Sequence, residues 1–246
     1  MRKLHVILKK EDMDESKQLE NKIVVVFDIL LATTTITTAL KHGASEVIPV
    51  LNQKEALEVV KDKLTGSYEL VGEAQGATID GFLSPDPLGL KEKVSNKTVV
   101  LSTTNGTVAL KKSLAAKTIY AASLLNSSAV AKKLLNNYQD ETILLVCSGS
   151  SGEFCVEDFY GAGYFIHCLM EHSIGGQWDL TDSAQAALHF VKGIGNHAHE
   201  IFRDSRVGGM LSKQGMDEAI ELAAQKDIYQ IVPYIADRAS LCIDEK

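Results

Sequence analysis

The sequence predicts an α/β fold: a mostly parallel sheet with helices on both faces, three layers deep, and a helical C-terminal third. Three observations predict it. Short runs rich in β-branched residues recur between residues 3 and 148. Segments with apolar residues at helical spacing separate most of them, and after residue 155 the strand-like runs almost stop. Nearly continuous apolar strands alternating with helices are the pattern of a parallel sheet buried on both sides.

The elements follow in order. "KLHVIL" (3–8) and "IVVVFDI" (23–29) read as the first strands. "TTTITTALKHG" (33–43) reads as a helix, with Gly43 where a C-terminal capping glycine belongs. Strands "EVIPVL" (46–51) and "YELVG" (68–72) flank the helical "QKEALEVVKDKL" (53–64). "GFLSPDPLGLKEK" (81–93) is the one long irregular loop. Strands "TVVLST" (98–103), "TIYAA" (118–122) and "TILLVCS" (142–148) then alternate with helices "NGTVALKKSLAA" (105–116) and "SSAVAKKLLNNY" (127–138). Beyond them "EDFYGAGYFIHCLMEH" (157–172), "TDSAQAALHFVKGIGNHAHEIFRD" (181–204) and "GMDEAIELAAQ" (215–225) are helical, and only "IYQIVPYI" (228–235) is strand-like. No repeat or proline-rich linker marks a boundary, so residues 1–246 are expected as one α/β domain or two closely joined lobes.

Composition narrows the function classes. The chain has 246 residues, 45% hydrophobic and 23% charged, with a formal net charge of −7. That charge opposes nucleic acid and anionic membrane, and no basic patch overrides it. No run of 18 apolar residues occurs and the N-terminus is charged, so a cytoplasmic, non-membrane protein is expected. Cys147, Cys155, Cys168 and Cys242 show neither a CxxC pair nor zinc spacing, which favours reduced thiols. A long sheet edge and an Ala- and Gly-rich helical layer favour a homo-oligomer, a dimer being the expectation.

In open parallel sheets ligands bind beyond the carboxyl ends of the strands. Three predicted strand ends share a vocabulary there: "FDILLATTT", "STTNGT" and "CSGSSGE". Each places hydroxyls, small residues or glycine at a helix start, where unpaired N–H groups and the helix dipole favour an anion. Plain helix capping is the competing reading of any one of them. Acidic residues stand in similar places: Asp28 at its strand end, Glu73 after "YELVG", and Glu157 and Asp158 at a helix start. Carboxylates beside anion cradles suit a hard cation such as Mg²⁺ bridging them to a phosphate. Rival chemistries fail on spacing. GxxxxGK[ST] and GxGxxG are absent, Leu30 stands where a DxDxT phosphatase needs its second carboxylate, and Glu153 stands where a C-x5-R loop needs arginine.

Taken in order, "DILLATTTITTAL", "GE" (72–73), "GF" (81–82), "STTNGT", "SLLNSSAVA", "CSG", "ED" (157–158) and "GGMLSKQGMDEAIELAAQKDIYQIVP" resemble the 2-phosphosulfolactate phosphatase family over nearly the whole chain. The resemblance implies a Mg²⁺-dependent phosphomonoester hydrolase converting 2-phospho-3-sulfolactate to 3-sulfolactate and phosphate, on a route to coenzyme M or sulfolactate. It implies that Asp28, Glu73, Glu157 and Asp158 bind metal or activate water, with Asp28, Glu73 and Asp158 as the metal set. Thr33, Thr34, Thr103, Thr104, Asn105 and Gly106 would hold the small anionic phosphoester. The chain departs from the family's usual pattern at Leu31 and Ala74, where relatives commonly carry arginine, and in the 84–89 loop. Its four arginines are Arg2, Arg203, Arg206 and Arg238, so none lies between residues 3 and 202. Arg206, directly before "VGG", is the expected fixed cation for a multiply anionic substrate.

Overall fold

The computed structural model describes residues 2–13, 19–173, 178–235 and 240–244. In chain order the elements are β1 (Arg2–Ile7), β2 (Lys22–Phe27), α1 (Ala32–Lys41), β3 (Glu46–Val50), α2 (Gln53–Val60), β4 (Tyr68–Ala74), β5 (Ala77–Thr78), β6 (Thr98–Ser102), α3 (Gly106–Lys112) and β7 (Thr118–Ala121). They continue with α4 (Ser127–Asn137), β8 (Thr142–Cys147), α5 (Val156–His172), β9 (Trp178–Leu180), α6 (Asp182–Ile194), α7 (Ala198–Asp204), α8 (Arg206–Lys213), α9 (Asp217–Ala223), β10 (Pro233–Ile235) and β11 (Leu241–Ile243). The fold class read from the sequence is the one observed.

All the described strands join one 11-stranded sheet in the order β5-β4-β6-β3-β11-β10-β7-β2-β8-β1-β9. β4, β6 and β3 form one parallel block; β7, β2, β8, β1 and β9 form another. Between them the hairpin β10–β11 pairs antiparallel with β7 on one side and β3 on the other. Three successive antiparallel pairings set the two blocks in opposite senses along the sheet. Twist of roughly 20–25° per strand, accumulated over the five steps from β6 to β2, turns them well away from opposition. The carboxyl ends of β6 and β2 thus reach one cleft.

β2 shows why the layers form. Ile23, Val25 and Phe27 pack on the side of α4 to α9, while Val24 and Val26 pack on the side of α1 and α3. Such a strand has no polar face, and the sheet needs helices on both sides. On β6 the same alternation sends Val99 and Leu101 toward α1 and α3, and Val100 toward α2.

α1 has a poor helix composition, with five threonines in ten residues, and tertiary burial overrides it. Its residues 32–40 are all buried. Thr37 Oγ1 donates to the carbonyl of Thr33 at 2.7 Å and Thr35 Oγ1 to that of Pro85 at 2.7 Å, so these hydroxyls enter the core already paired. The helix ends where expected: Gly43 has φ 88° and its N–H donates to the carbonyl of Leu40.

Differences from the sequence reading have local causes. The predicted helix over 181–204 is two helices, broken at Gly195 with φ 67°. β5, β9 and β11 span only two or three residues each, too few to establish an alternation. Of the strand predicted over 228–235, only Pro233–Ile235 pairs. All four cysteines are free thiols, as expected.

Candidate active site

The chain leaves β2 at Asp28, which caps the next helix. Asp28 Oδ1 accepts the N–H of Ala32 at 3.2 Å, and its carbonyl accepts both the N–H and the hydroxyl of Thr33 at 2.9 Å. Thr34 Oγ1 donates to the carbonyl of Ile29 at 2.8 Å. Thr33 and Thr34 are fully buried, and their hydroxyls serve this turn rather than an open cradle. Their expected role as phosphate donors is therefore not how these side chains are used.

β4 and β6 meet through Glu73. Its Oε1 accepts the N–H of Thr104 at 2.6 Å, and its Oε2 accepts the Thr104 hydroxyl at 2.9 Å and the N–H of Gly76 at 2.8 Å. Thr103 caps α3 reciprocally with Thr107: Thr107 N–H donates to Thr103 Oγ1 at 3.1 Å, and Thr103 N–H donates to Thr107 Oγ1 at 3.0 Å. Gly106 opens α3 against Asp28 with no room for a side chain. Asn105 Oδ1 accepts the ammonium of Lys10, which comes from the turn after β1, at 2.8 Å.

β8 and α5 supply the third strand end. Asp158 Oδ1 accepts the N–H of Ile29 at 2.8 Å and Oδ2 that of Gly149 at 3.0 Å, so it clips the ends of β2 and β8 together. Glu157 is buried beside it, with the Ser205 hydroxyl and Cys155 thiol against its carboxylate.

A cavity of about 510 Å³ opens over these ends. Of the residues expected from sequence, Asp28, Glu73, Thr103, Thr104, Asn105 and Arg206 line it. Thr33, Thr34, Gly106, Glu157 and Asp158 stand behind that lining. Arg206 begins α8 and donates from Nη2 to the carbonyl of Ser150 at 2.9 Å. Arg203 is exposed and outside the lining, and Arg238 falls outside the described residues. Leu31, Val207 and Met210 give the cavity an apolar side.

Crowded carboxylates shape the electrostatics. Burial pushes Asp28 up to about 7, helped by the charges of Glu73 and Glu157 and opposed by the Ala32 N–H and by Lys10. Burial, then Asp28 and Glu157, holds Asp158 well above the usual carboxylate range. Glu157 is raised too, again through burial. Such a group of buried acids is relieved either by holding protons or by cations nearby. Lys10, 5% exposed, is one that the sequence reading missed. It follows β1, whose end carries no hydroxyl or glycine to mark it.

A family model described as 2-phosphosulpholactate phosphatase matches residues 7–238. The chain belongs to the 2-phosphosulfolactate phosphatase family. Relatives named "Probable 2-phosphosulfolactate phosphatase" include those of Clostridium novyi, 38% identical over 94% of this chain and 96% of its own length, and Clostridium perfringens, 39% identical over 94% and 92%. A third, from Carboxydothermus hydrogenoformans, is 39% identical over 89% of each chain. The span matched in this member of the 2-phosphosulfolactate phosphatase family takes in the strand ends at Asp28, Glu73, Thr103 and Ser148.

Mg²⁺ characteristically keeps several waters and takes one or two carboxylates together with substrate phosphate oxygens. Asp28 and Glu73 on the cavity wall fit that donor set. Among the described residues no three His, Cys, Asp or Glu side chains group as a complete ligand shell. Asp158, expected as a third ligand, is absent from the cavity lining, its two oxygens turned to the N–H groups of Ile29 and Gly149, whereas Glu73 lines the cavity and its Oε1 accepts a single donor. No helix of the described residues is long and apolar enough to cross a membrane.

Proposed function

We propose that this protein is a Mg²⁺-dependent phosphomonoester hydrolase acting on a small, multiply anionic substrate, 2-phospho-3-sulfolactate, with 3-sulfolactate and phosphate as products. The observation carrying this reading is the convergence of Asp28, Glu73, Thr103, Thr104, Asn105 and Arg206 on one cavity in a member of this family. When bound, the metal supplies charge stabilisation at the phosphoryl oxygens. Asp28 and Glu73 would hold it. Arg206 at the cavity mouth pairs with an anionic group of the substrate, for which its planar fork of donors is suited. A cavity carboxylate orients the water that attacks phosphorus, with the sulfolactate oxygen as the leaving group.

Leu31 supports a second reading within the same chemistry. A leucine on the cavity wall, 8% exposed, favours a substrate with less charge than sulfolactate. A panel of phosphomonoesters including 2-phosphosulfolactate, assayed with Mg²⁺ and with chelator, tests both. Chelator-sensitive phosphate release, fastest from 2-phosphosulfolactate, supports the first reading, and a preference for a less charged ester supports the second. No release from any ester would show a binding protein without catalysis.

A further inference from the structure

Lys10 and Asn105 come from opposite blocks of the sheet, 95 residues apart, and meet at 2.8 Å. The Lys10 ammonium also donates to the carbonyl of Ser148 at 3.3 Å and pairs with Glu11 at 2.9 Å. A lysine ammonium carries three donors and no acceptor. It therefore fixes which end of the Asn105 amide faces it: Oδ1 must accept from Nζ, and the Nδ2 donors must point elsewhere. Asn105 lines the cavity, immediately before the first residue of α3. Its side chain makes no cap bond to that helix.

We propose that Lys10 is a positioning residue that locks the Asn105 amide so that its two Nδ2–H donors face the cavity and bind a phosphoryl oxygen. The proposal rests on the phosphate-ester reading above. It gives two residues a joint role: Lys10 supplies fixed positive charge from behind the lining, and Asn105 conveys it as an oriented donor. Without the ammonium, the amide is free to turn its carbonyl oxygen toward an anion, which repels it. Lys10 is nearly enclosed, and burying an ammonium is costly unless acceptors satisfy it. Its three partners do so while leaving the amide donors unused.

The test compares wild type, Lys10→Met, Asn105→Ala, the double variant and Asn105→Asp. Two readouts are used: KM and kcat for phosphomonoester hydrolysis with Mg²⁺, and calorimetric binding of inorganic phosphate. Lys10→Met and Asn105→Ala are each expected to raise KM and the phosphate Kd about tenfold or more, with kcat changed less. The double variant should be no worse than the more affected single one, because both act through the same donors. Asn105→Asp keeps an acceptor for Lys10, and so the local packing, but replaces the donors with a second anion. It should lose phosphate binding while keeping its melting temperature, and it decides the question if Lys10→Met does not fold. Additive effects of Lys10→Met and Asn105→Ala, or phosphate binding by Asn105→Asp equal to wild type, would overturn the proposal. If wild type hydrolyses no ester, the phosphatase reading fails, yet the phosphate titrations still decide the role of Lys10.

Discussion

A methyl group built on the α-carbon of Gly106 would lie 2.7 Å from Asp28 Oδ2 and 2.4 Å from the β-carbon of Ala32. Two helix starts and a strand end thus touch with nothing between them. Gly106→Ala must push α3 away from Asp28. Overpacking of this kind costs about 1–3 kcal/mol. Urea denaturation should show that loss, and phosphate release should fall by at least an order of magnitude because Thr103, Thr104 and Asn105 shift with the helix. A variant with wild-type midpoint and rate would mean that this contact relaxes freely.

Asp28 makes stability depend on pH in an unusual direction. Its carboxyl titrates near 7 in the folded chain against an ordinary 3.8, with burial the chief cause. Between those values the folded state holds a proton that the unfolded state has lost. Its contribution to stability therefore falls as pH rises from about 4 to about 7 and then levels off. Denaturation midpoints measured in chelator should show wild type falling relative to Asp28→Asn across that window. Mg²⁺ added at pH 8 should restore stability to wild type and not to the variant. Parallel curves for the two proteins would remove Asp28 as the titrating group.

Glu73 accepts three donors, two of them backbone N–H groups. Glu73→Gln keeps the shape and replaces one acceptor oxygen with an NH₂ that must face a donor. An unmet donor of this sort costs about 1–3 kcal/mol. Chemical denaturation should register it, together with a rise in the Mg²⁺ concentration needed for half-maximal rate. A stability equal to wild type would show that the hairpin β4–β5 does not depend on this carboxylate.

Arg206 lines the cavity from an exposed position and spends one donor on the Ser150 carbonyl. Arg206→Ala should weaken substrate affinity by about 1.5–3 kcal/mol, the range for hydrogen bonds to charged groups, with the melting temperature nearly unchanged. Loss of stability with intact kinetics would make it a structural tether between α8 and the 148–153 turn.

The apolar strands and their helices were legible because each carries a periodicity over several residues. Asp28, Glu73 and the 103–106 stretch were legible as strand ends. Hidden were the relations between ends. No local pattern says that Asp158 turns to the N–H of Ile29, 129 residues away, or that Thr33 folds its hydroxyl back onto Asp28. Threonines at a helix start read equally well as an anion cradle and as core residues with self-paired hydroxyls, and only burial separates the two. Lys10 was invisible for the opposite reason: a lysine after a strand looks like any solvated charge until the fold closes over it.

The hairpin β10–β11 gives the order of synthesis a structural meaning. Its strands, Pro233–Ile235 and Leu241–Ile243, come later in the chain than every residue that lines the cavity, and among the described strands they alone bridge the block carrying Glu73 and Asn105 to the block carrying Asp28 and Lys10 within the sheet. On each flank the seam is thin, with Leu241 opposite Val47 and Tyr234 opposite Tyr120 as the registered partners. Until that segment leaves the ribosome, the nascent chain carries two open strand edges and a disassembled cavity. Assembly of the cavity thus waits on strands made after every residue that lines it, and these strands act as a fastener for groups encoded far upstream.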